Sequence, residues 1–349
     1  MTSKKIFIGN LLTSTQTKKM RILVTGANGF VGSSVCDYLT SAGFDVVGVV
    51  RNNVDVSADN RWLCQKDLDD TPELFKTFHA VVHLAARVHI FTETSPNPLE
   101  EYERVNRDMT LELAKKCVAA GVEKFIFASS ISIFGRFVTG LIDPMCNPSP
   151  DDHYGASKWE AEQNLVKLFS RQVRSECIIF RLPMIYGPKN KGNMIHLLKV
   201  ASLRLPLPLR QTRGKRSIAY IHNVCDAMGA VILDKKKGRS RVQTFFIKDS
   251  DDLTSGELYE LIFQAYWKKR GLISVPNLWL QWLGELGSAL ENIFSTTIFI
   301  NKKAIARLLN ESRFSSDLFS QEYGWTPPYE AKQGIAETVE WYRGERNTQ

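Results

Sequence analysis

Apolar positions along this chain fall into two alternating patterns. Short runs rich in branched residues recur at Arg21-Ile22-Leu23-Val24-Thr25, Asp45-Val46-Val47-Gly48-Val49-Val50, His79 to Ala86, Lys124 to Ser130 and Cys177-Ile178-Ile179-Phe180-Arg181. Runs of that length bounded by turn residues read as buried strands. Between them the spacing is helical: Val31, Val35, Tyr38 and Leu39 share a face, as do residues from Leu99 to Ala120 and over 152–171. A short segment at Trp62-Leu63-Cys64 leads into Lys66-Asp67-Leu68. Strands alternating with helices predict an α/β fold whose parallel sheet is covered on both faces.

The alternation fades near Gly187. Prolines at 188, 206 and 208 and a basic loop (Arg210, Arg213, Lys215, Arg216) predict a smaller lobe built from later segments. The expected organisation is a nucleotide-binding domain over 20–187 and a mainly substrate-binding lobe over 188–349, with some of its segments returning to the sheet. Residues 1–19 read as a disordered lead or an over-extended start ahead of Met20. Trp279, Leu283, Leu286 and Leu290 form a stripe expected to face a core, with a membrane surface as the other option. A last helix carries Ile335, Val339 and Trp341.

Composition narrows the class. Of 349 residues, 44% are hydrophobic and 23% charged, the balance of an ordinary soluble protein. The net charge of +8 has its densest cluster at Lys235 to Arg241. That cluster has no interleaved aromatics and no reading helix, so nucleic acid is not an expected partner. Six cysteines form no CxxC pair, which argues for a reducing compartment and against a disulfide framework or a metal site. No run approaches the ~18 apolar residues that cross a bilayer. The expectation is a cytoplasmic protein.

Candidate chemistry begins with Thr25-Gly26-Ala27-Asn28-Gly29-Phe30-Val31-Gly32, where a strand passes into a helix. Gly26 allows a tight turn, Gly29 the close approach of a pyrophosphate, and Gly32 tight helix–strand packing. The new helix's free N–H groups and positive dipole end would face the phosphates. Further on, Tyr154-Gly155-Ala156-Ser157-Lys158 puts a phenol and an ammonium on one helical face. A phenol titrates near ~10, and a neighbouring ammonium would be expected to lower that value. Ser130, ending a strand, is placed to hydrogen-bond the same substrate oxygen.

Taken together, these residues carry a family resemblance. The order of the glycine loop, Asp67-Leu68, His83-Leu84-Ala85-Ala86, Val105-Asn106, Ser129-Ser130, the Tyr154–Lys158 motif and Arg181-Leu182-Pro183-Met184-Ile185-Tyr186-Gly187-Pro188 resembles the extended short-chain dehydrogenase/reductases. Within them the chain is similar to the nucleotide-sugar epimerases, dehydratases and reductases, over roughly residues 20–345. The resemblance implies a Rossmann-type doubly wound sheet. It implies Tyr154 as general acid/base, Lys158 tuning it and holding the nicotinamide ribose, and Ser130 orienting the sugar carbonyl. Gly26, Gly29, Phe30, Val31 and Gly32 would surround the pyrophosphate, Asp67 and Leu68 the adenine, and Leu84, Ala85 and Ala86 the nicotinamide half. Asn193 and Arg216 would contact the nucleotide-sugar.

Departures from the family pattern sharpen the expectation. Ile131 and Ser132 stand where sugar 4,6-dehydratases carry an Asp-Glu pair, so the acid/base pair for elimination is missing. Arg51 stands at the end of the second strand, where NAD-bound epimerases carry an acidic residue. A guanidinium suits a 2′-phosphate, which brings in NADP(H) beside NAD(H). His153 replaces the usual proline before the tyrosine, and Met184 the asparagine of the galactose epimerases. The wording of His83 to His89 and Leu205 to Leu209 looks most like enzymes of bacterial surface-polysaccharide (O-antigen) biosynthesis that reduce C4 of a UDP-4-keto-6-deoxy-N-acetylhexosamine to UDP-N-acetylquinovosamine. That reductase is the first expectation and a UDP-glucose or UDP-N-acetylglucosamine 4-epimerase the second. A non-catalytic NAD(P)-sensing or scaffold protein is a third, and intact Ser130, Tyr154 and Lys158 argue against it. The expected partners are a UDP-sugar and, optionally, a second copy of the chain in a homodimer.

Overall fold

The computed structural model describes residues 20–51, 62–88, 95–135, 140–190, 192, 194–236, 240–274 and 311–348. The leading 1–19 segment, Asn193, the stripe from Trp279 to Leu290 and part of the Lys235–Arg241 cluster lie outside the described residues.

The chain opens with β1 (Arg21–Thr25), α1 (Phe30–Ser41), β2 (Asp45–Val50), β3 (Trp62–Cys64), α2 (Gln65–Asp70) and β4 (Ala80–His83). Then come α3 (Pro98–Tyr102), α4 (Met109–Ala120), β5 (Lys124–Ser130), β6 (Leu141–Ile142), α5 (His153–Phe169) and β7 (Glu176–Leu182). The C-terminal part holds β8 (Met184–Tyr186), α6 (Met194–Ser202), β9 (Lys215–Arg216), β10 (Ile218–Tyr220), α7 (Ile221–Leu233), β11 (Val242–Phe246), β12 (Leu253–Thr254) and α8 (Ser255–Trp267). It closes with β13 (Arg313–Phe314), α9 (Asp317–Tyr323) and α10 (Ala331–Thr348).

Seven strands form one sheet in the order β3-β2-β1-β4-β5-β7-β11, every neighbouring pair parallel. This is the doubly wound Rossmann order, in which the chain reverses its direction of winding between β1 and β4. Successive residues of each strand feed opposite layers. Ile22, Val24, Ile126, Ile178 and Phe180 pack into one buried cluster, and Leu23, Phe125, Phe127, Cys177 and Ile179 into the other. Burial on both faces explains why these strands read as continuous apolar runs rather than alternating ones. β11, from the later half of the chain, extends the sheet beside β7, while among the described residues β8, β9, β10, β12 and β13 lie in two-stranded sheets.

The expected helix over 99–120 is interrupted. Between α3 and α4, residues Glu103–Asp108 form a π-type turn, which places Asn106 inside with none of its surface exposed. Widened turns of this kind re-aim side chains at functional sites.

Candidate active site

The glycine loop lies at the winding reversal, where a doubly wound sheet opens a crevice at the carboxyl ends of its strands. Its glycines have different physical reasons. Gly26 has φ +68°, and a Cβ there would come within 2.8 Å of the Ala85 backbone nitrogen. A Cβ on Gly32 would stand 2.1 Å from the Gly26 carbonyl oxygen. Gly29 has ordinary φ, and a Cβ there would meet only the Gly26 oxygen, at 3.1 Å. Gly26 and Gly32 are therefore required by the loop's own packing, whereas among the described residues almost nothing fills the space above Gly29.

Helix α1 starts without a side-chain cap and without an acidic residue in its first turn. Its first ladder bond runs from Ser33 N–H to the Gly29 carbonyl at 2.9 Å, leaving the amides of Phe30, Val31 and Gly32 ahead of the ladder. An uncapped positive helix end beneath an open glycine fits the pyrophosphate of a dinucleotide. Arg51 is exposed just past β2, whose Val49 carbonyl takes the Ala27 N–H at 3.2 Å. Asp67 is exposed in the first turn of α2, while Leu68 is fully buried in the core, so its side chain serves packing.

A buried polar chain ties this loop to β4. Thr25 Oγ1 accepts the N–H groups of Leu84 and Ala85, both at 3.2 Å, and lies 2.7 Å from His83 Nδ1. With both lone pairs taken, the hydroxyl proton goes to Nδ1. His83 is then the Nε2–H tautomer, donating to Thr110 Oγ1 at 2.9 Å, and Thr110 donates to the Asn106 carbonyl at 2.7 Å. Burial holds the imidazole neutral, its pKa lowered to about 3, with the nearby Lys158 charge acting the same way. Asn106 continues the chain. Its amide donates to the Arg87 carbonyl at 2.9 Å and to Ser157 Oγ at 3.0 Å, and it accepts the Arg87 N–H at 2.8 Å. The loop Leu84–Arg87 is thus clamped from one side by Thr25 and from the other by Asn106, which is itself tied to Ser157 of α5.

Ser130, Tyr154 and Lys158 converge at the carboxyl end of β5. Asp152 caps α5 by accepting the Gly155 N–H at 2.7 Å, which fixes the start of the helix carrying the tyrosine and lysine. Ser130 hydrogen-bonds the Tyr154 phenol, and its Oγ also accepts the Ser132 N–H at 3.1 Å. Lys158 is buried, donates to the Ala128 carbonyl at 2.8 Å and sits 4.5 Å over the Phe127 ring. Burial pushes the phenol up to about 12, against the Ser130 bond that pulls it down. Burial also lowers Lys158 to about 7, against the attraction of Glu162. This differs from the sequence-based expectation of a phenol lowered by the ammonium. Desolvation outweighs the Ser130 hydrogen bond for the phenol and the Glu162 attraction for the ammonium.

One turn beyond Lys158, Glu162 accepts from Ser129 Oγ at 2.5 Å and from Arg181. Thr25, His83, Asn106 and Arg181 stand in recognisable motifs with no role of their own along the sequence, and Glu162 in none; their partners come from the fold. The available signal was a polar side chain inside an otherwise apolar strand or on the inward face of a helix. Arg216 lies in β9, paired with Leu253 of β12, in the C-terminal part of the chain.

Comparison with known proteins agrees with this architecture. The family model described as the NAD dependent epimerase/dehydratase family matches residues 22–243. A UDP-glucose 4-epimerase of Vibrio cholerae is 30% identical over 91% of this chain and 94% of its own. A UDP-2-acetamido-2,6-beta-L-arabino-hexul-4-ose reductase of Pseudomonas aeruginosa is 23% identical over 70% of this chain and 57% of its own. The solved structure of MoeE5 in complex with UDP-glucose and NAD superposes with a TM-score of 0.69 at 22% identity, over 93% of this chain and 99% of that one. The sheet order, the uncapped helix above Gly29 and a family match across most of the chain converge: this protein belongs to the NAD dependent epimerase/dehydratase family.

Proposed function

We propose that the protein is a nicotinamide-dependent oxidoreductase of UDP-sugars that reduces the C4 keto group of a UDP-4-keto-6-deoxy-N-acetylhexosamine. The observation that carries the reading is the convergence of Ser130, Tyr154 and Lys158 beside the glycine loop. Gly26, Gly29, Phe30, Val31 and Gly32 would hold the pyrophosphate, Arg51 and Asp67 with the backbone at Leu68 the adenosine side, and Leu84, Ala85 and Ala86 the nicotinamide half. Asn193 and Arg216 would take the nucleotide-sugar. When bound, the cofactor supplies the hydride that the protein's own side chains lack.

Tyr154 carries the proton. With its pKa at about 12 the phenol is loaded at neutral pH and suited to deliver H⁺ to an oxygen that becomes negative as a carbonyl is reduced. Ser130 hydrogen-bonds the same oxygen and spreads its charge. Lys158, at about 7, places a titrating ammonium one helical turn from the phenol. Ile131 and Ser132 follow Ser130, so no carboxylate pair for elimination occupies those positions.

A second reading, a 4-epimerase, is favoured by the 30% identity with the Vibrio cholerae enzyme across 91% of the chain. Substrate assays separate the two. A reductase consumes NADH or NADPH stoichiometrically with the 4-keto sugar and leaves UDP-N-acetylglucosamine and UDP-N-acetylgalactosamine unchanged. Interconversion of those two sugars without net nicotinamide change overturns the reductase reading. Tyr154→Phe is expected to lose roughly 10²- to 10⁴-fold in kcat while keeping substrate affinity.

A further inference from the structure

Three helices of the C-terminal lobe end side by side. Trp267 Nε1 of α8 donates to the Ala201 carbonyl of α6 at 2.8 Å, Arg343 of α10 donates to the Tyr266 carbonyl, and Arg346 Nη1 donates to Ser202 Oγ at 2.5 Å. Around these ends Arg204, Lys268, Lys269, Arg270, Arg343 and Arg346 are all exposed. Cations at helix C-termini ordinarily offset the negative dipole end. Three of them are engaged locally: Arg204 lies 4.9 Å over the Trp267 ring, Arg343 lies 4.8 Å over the Tyr266 ring, and Arg346 holds Ser202.

Lys268, Lys269 and Arg270 differ, since they are exposed and meet no carboxylate in an ion pair among the described residues. With Lys332 they line a cleft of about 490 Å³ whose apolar wall is Leu261, Ala265 and Ala336. An adjoining cleft of about 340 Å³ shares Arg270 and adds Arg210. Its one carboxylate, Glu260, is taken by the Gly271 N–H at 2.9 Å and by Gln264 at 2.9 Å. Single aliphatic side chains stand out among these charges: Leu203 is 55% exposed, Leu205 50% and Ile273 47%. Reciprocal backbone bonds of 2.9 Å, Leu207 N–H to Gly271 and Ile273 N–H to Leu207, join the two loops that carry them.

We propose that this end of the lobe docks on an anionic lipid bilayer surface. The cations would face lipid phosphates, and Leu203, Leu205 and Ile273 would enter the headgroup region. Cations with no carboxylate partner among the described residues, set beside protruding aliphatics, form the pattern of an interfacial anchor. An acidic peptide would need neither the aliphatic tips nor their placement on neighbouring loops. The inference does not depend on which sugar reaction the active site performs.

The test is co-sedimentation of the full chain with phosphatidylcholine vesicles, with and without phosphatidylglycerol, at low and high salt. Partition is expected only with phosphatidylglycerol and is expected to fall at high salt. Each cation near an anionic surface is worth about fivefold in partition, so a Lys269→Glu/Arg270→Glu double variant should lose at least about tenfold. Its thermal unfolding should match the parent, because both residues are exposed. A Leu203→Ser/Leu205→Ser variant should also bind less. The proposal is overturned by equal partition to both vesicle types, by no partition, or by unchanged partition of the charge-reversed variant. Binding to polyglutamate that ignores the Leu203→Ser/Leu205→Ser change would also overturn it, in favour of an acidic protein partner.

Discussion

Arg181 and Glu162 form a buried two-oxygen ion pair, with Arg181 Nη2 2.8 Å from Glu162 Oε2 and the side chains 5% and 2% exposed. The pair bridges β7 and α5. Arg181 also donates to the Pro144 carbonyl at 2.7 Å, and Glu162 accepts from Ser129, the residue before Ser130. β5, β7, α5 and the loop at Pro144 therefore meet at one charge pair, next to Ser130 and one turn from Lys158.

Breaking that pair leaves a buried charge alone. Glu162→Gln is expected to cost roughly 3–5 kcal/mol of unfolding free energy. Chemical denaturation measures it. A loss below about 1 kcal/mol would mean that water or a shifted neighbour replaces the carboxylate.

The loop glycines should separate in mutagenesis. Gly32→Ala drives a methyl into the Gly26 carbonyl and should lower stability, read as a fall in Tm. Gly29→Val fits the protein alone better, with ordinary φ and only the Gly26 oxygen nearby. It should fold and yet lose dinucleotide binding by calorimetry. Undiminished NAD(P)H affinity in Gly29→Val would remove the pyrophosphate from that position.

Arg51 tests the cofactor's phosphate. If the exposed guanidinium past β2 pairs with a 2′-phosphate, Arg51→Asp should weaken NADPH by tenfold or more relative to NADH, because a charge-assisted pair becomes a repulsion. Parallel losses for the two cofactors would assign Arg51 to stacking or to solvent.

His83 gives a pH signature of stability. Its folded pKa is about 3 and its unfolded value ~6.5, so within that window the unfolded chain binds the proton and the native state does not. Stability is therefore lost as pH falls from ~6.5 toward 3, at up to ~1.4 kcal/mol per pH unit. Asp249 works the other way. It is raised from 3.8 to about 6, chiefly by burial, so it loses stability as pH rises through that range. The difference between parent and His83→Gln isolates the histidine, and the variant should show the shallower loss on acidification. Identical slopes would place His83 outside the linkage.

Lys158 carries a similar cost on the other side of neutrality. Its value is lowered from 10.5 to about 7, so between those values the unfolded chain binds more protons and stability rises with pH. At pH 6 the buried ammonium is charged and costly, so Lys158→Met should raise Tm there and abolish activity. A lower Tm would show that the bond to Ala128 and the contact with Phe127 outweigh the desolvation.

The sequence alone determined whatever depends on neighbours along the chain. Apolar runs and helical spacings marked the strands and helices, because period and branching are local properties. The positions of Gly26, Gly29 and Gly32 at a strand–helix junction, and of Tyr154 and Lys158 one turn apart, were legible for the same reason. Tertiary structure alone decided the sheet order and the reversal between β1 and β4 that puts the glycine loop beside Leu84–Arg87. It also decided the Thr25–His83–Thr110–Asn106 chain and the Glu162–Arg181 pair, whose members lie on separate elements. Most clearly, it set the direction of the Tyr154 and Lys158 pKa shifts. The spacing of Tyr154 and Lys158 announces an attraction, but desolvation depends on all the atoms packed around a group, and those come from β5, α5 and β4 together.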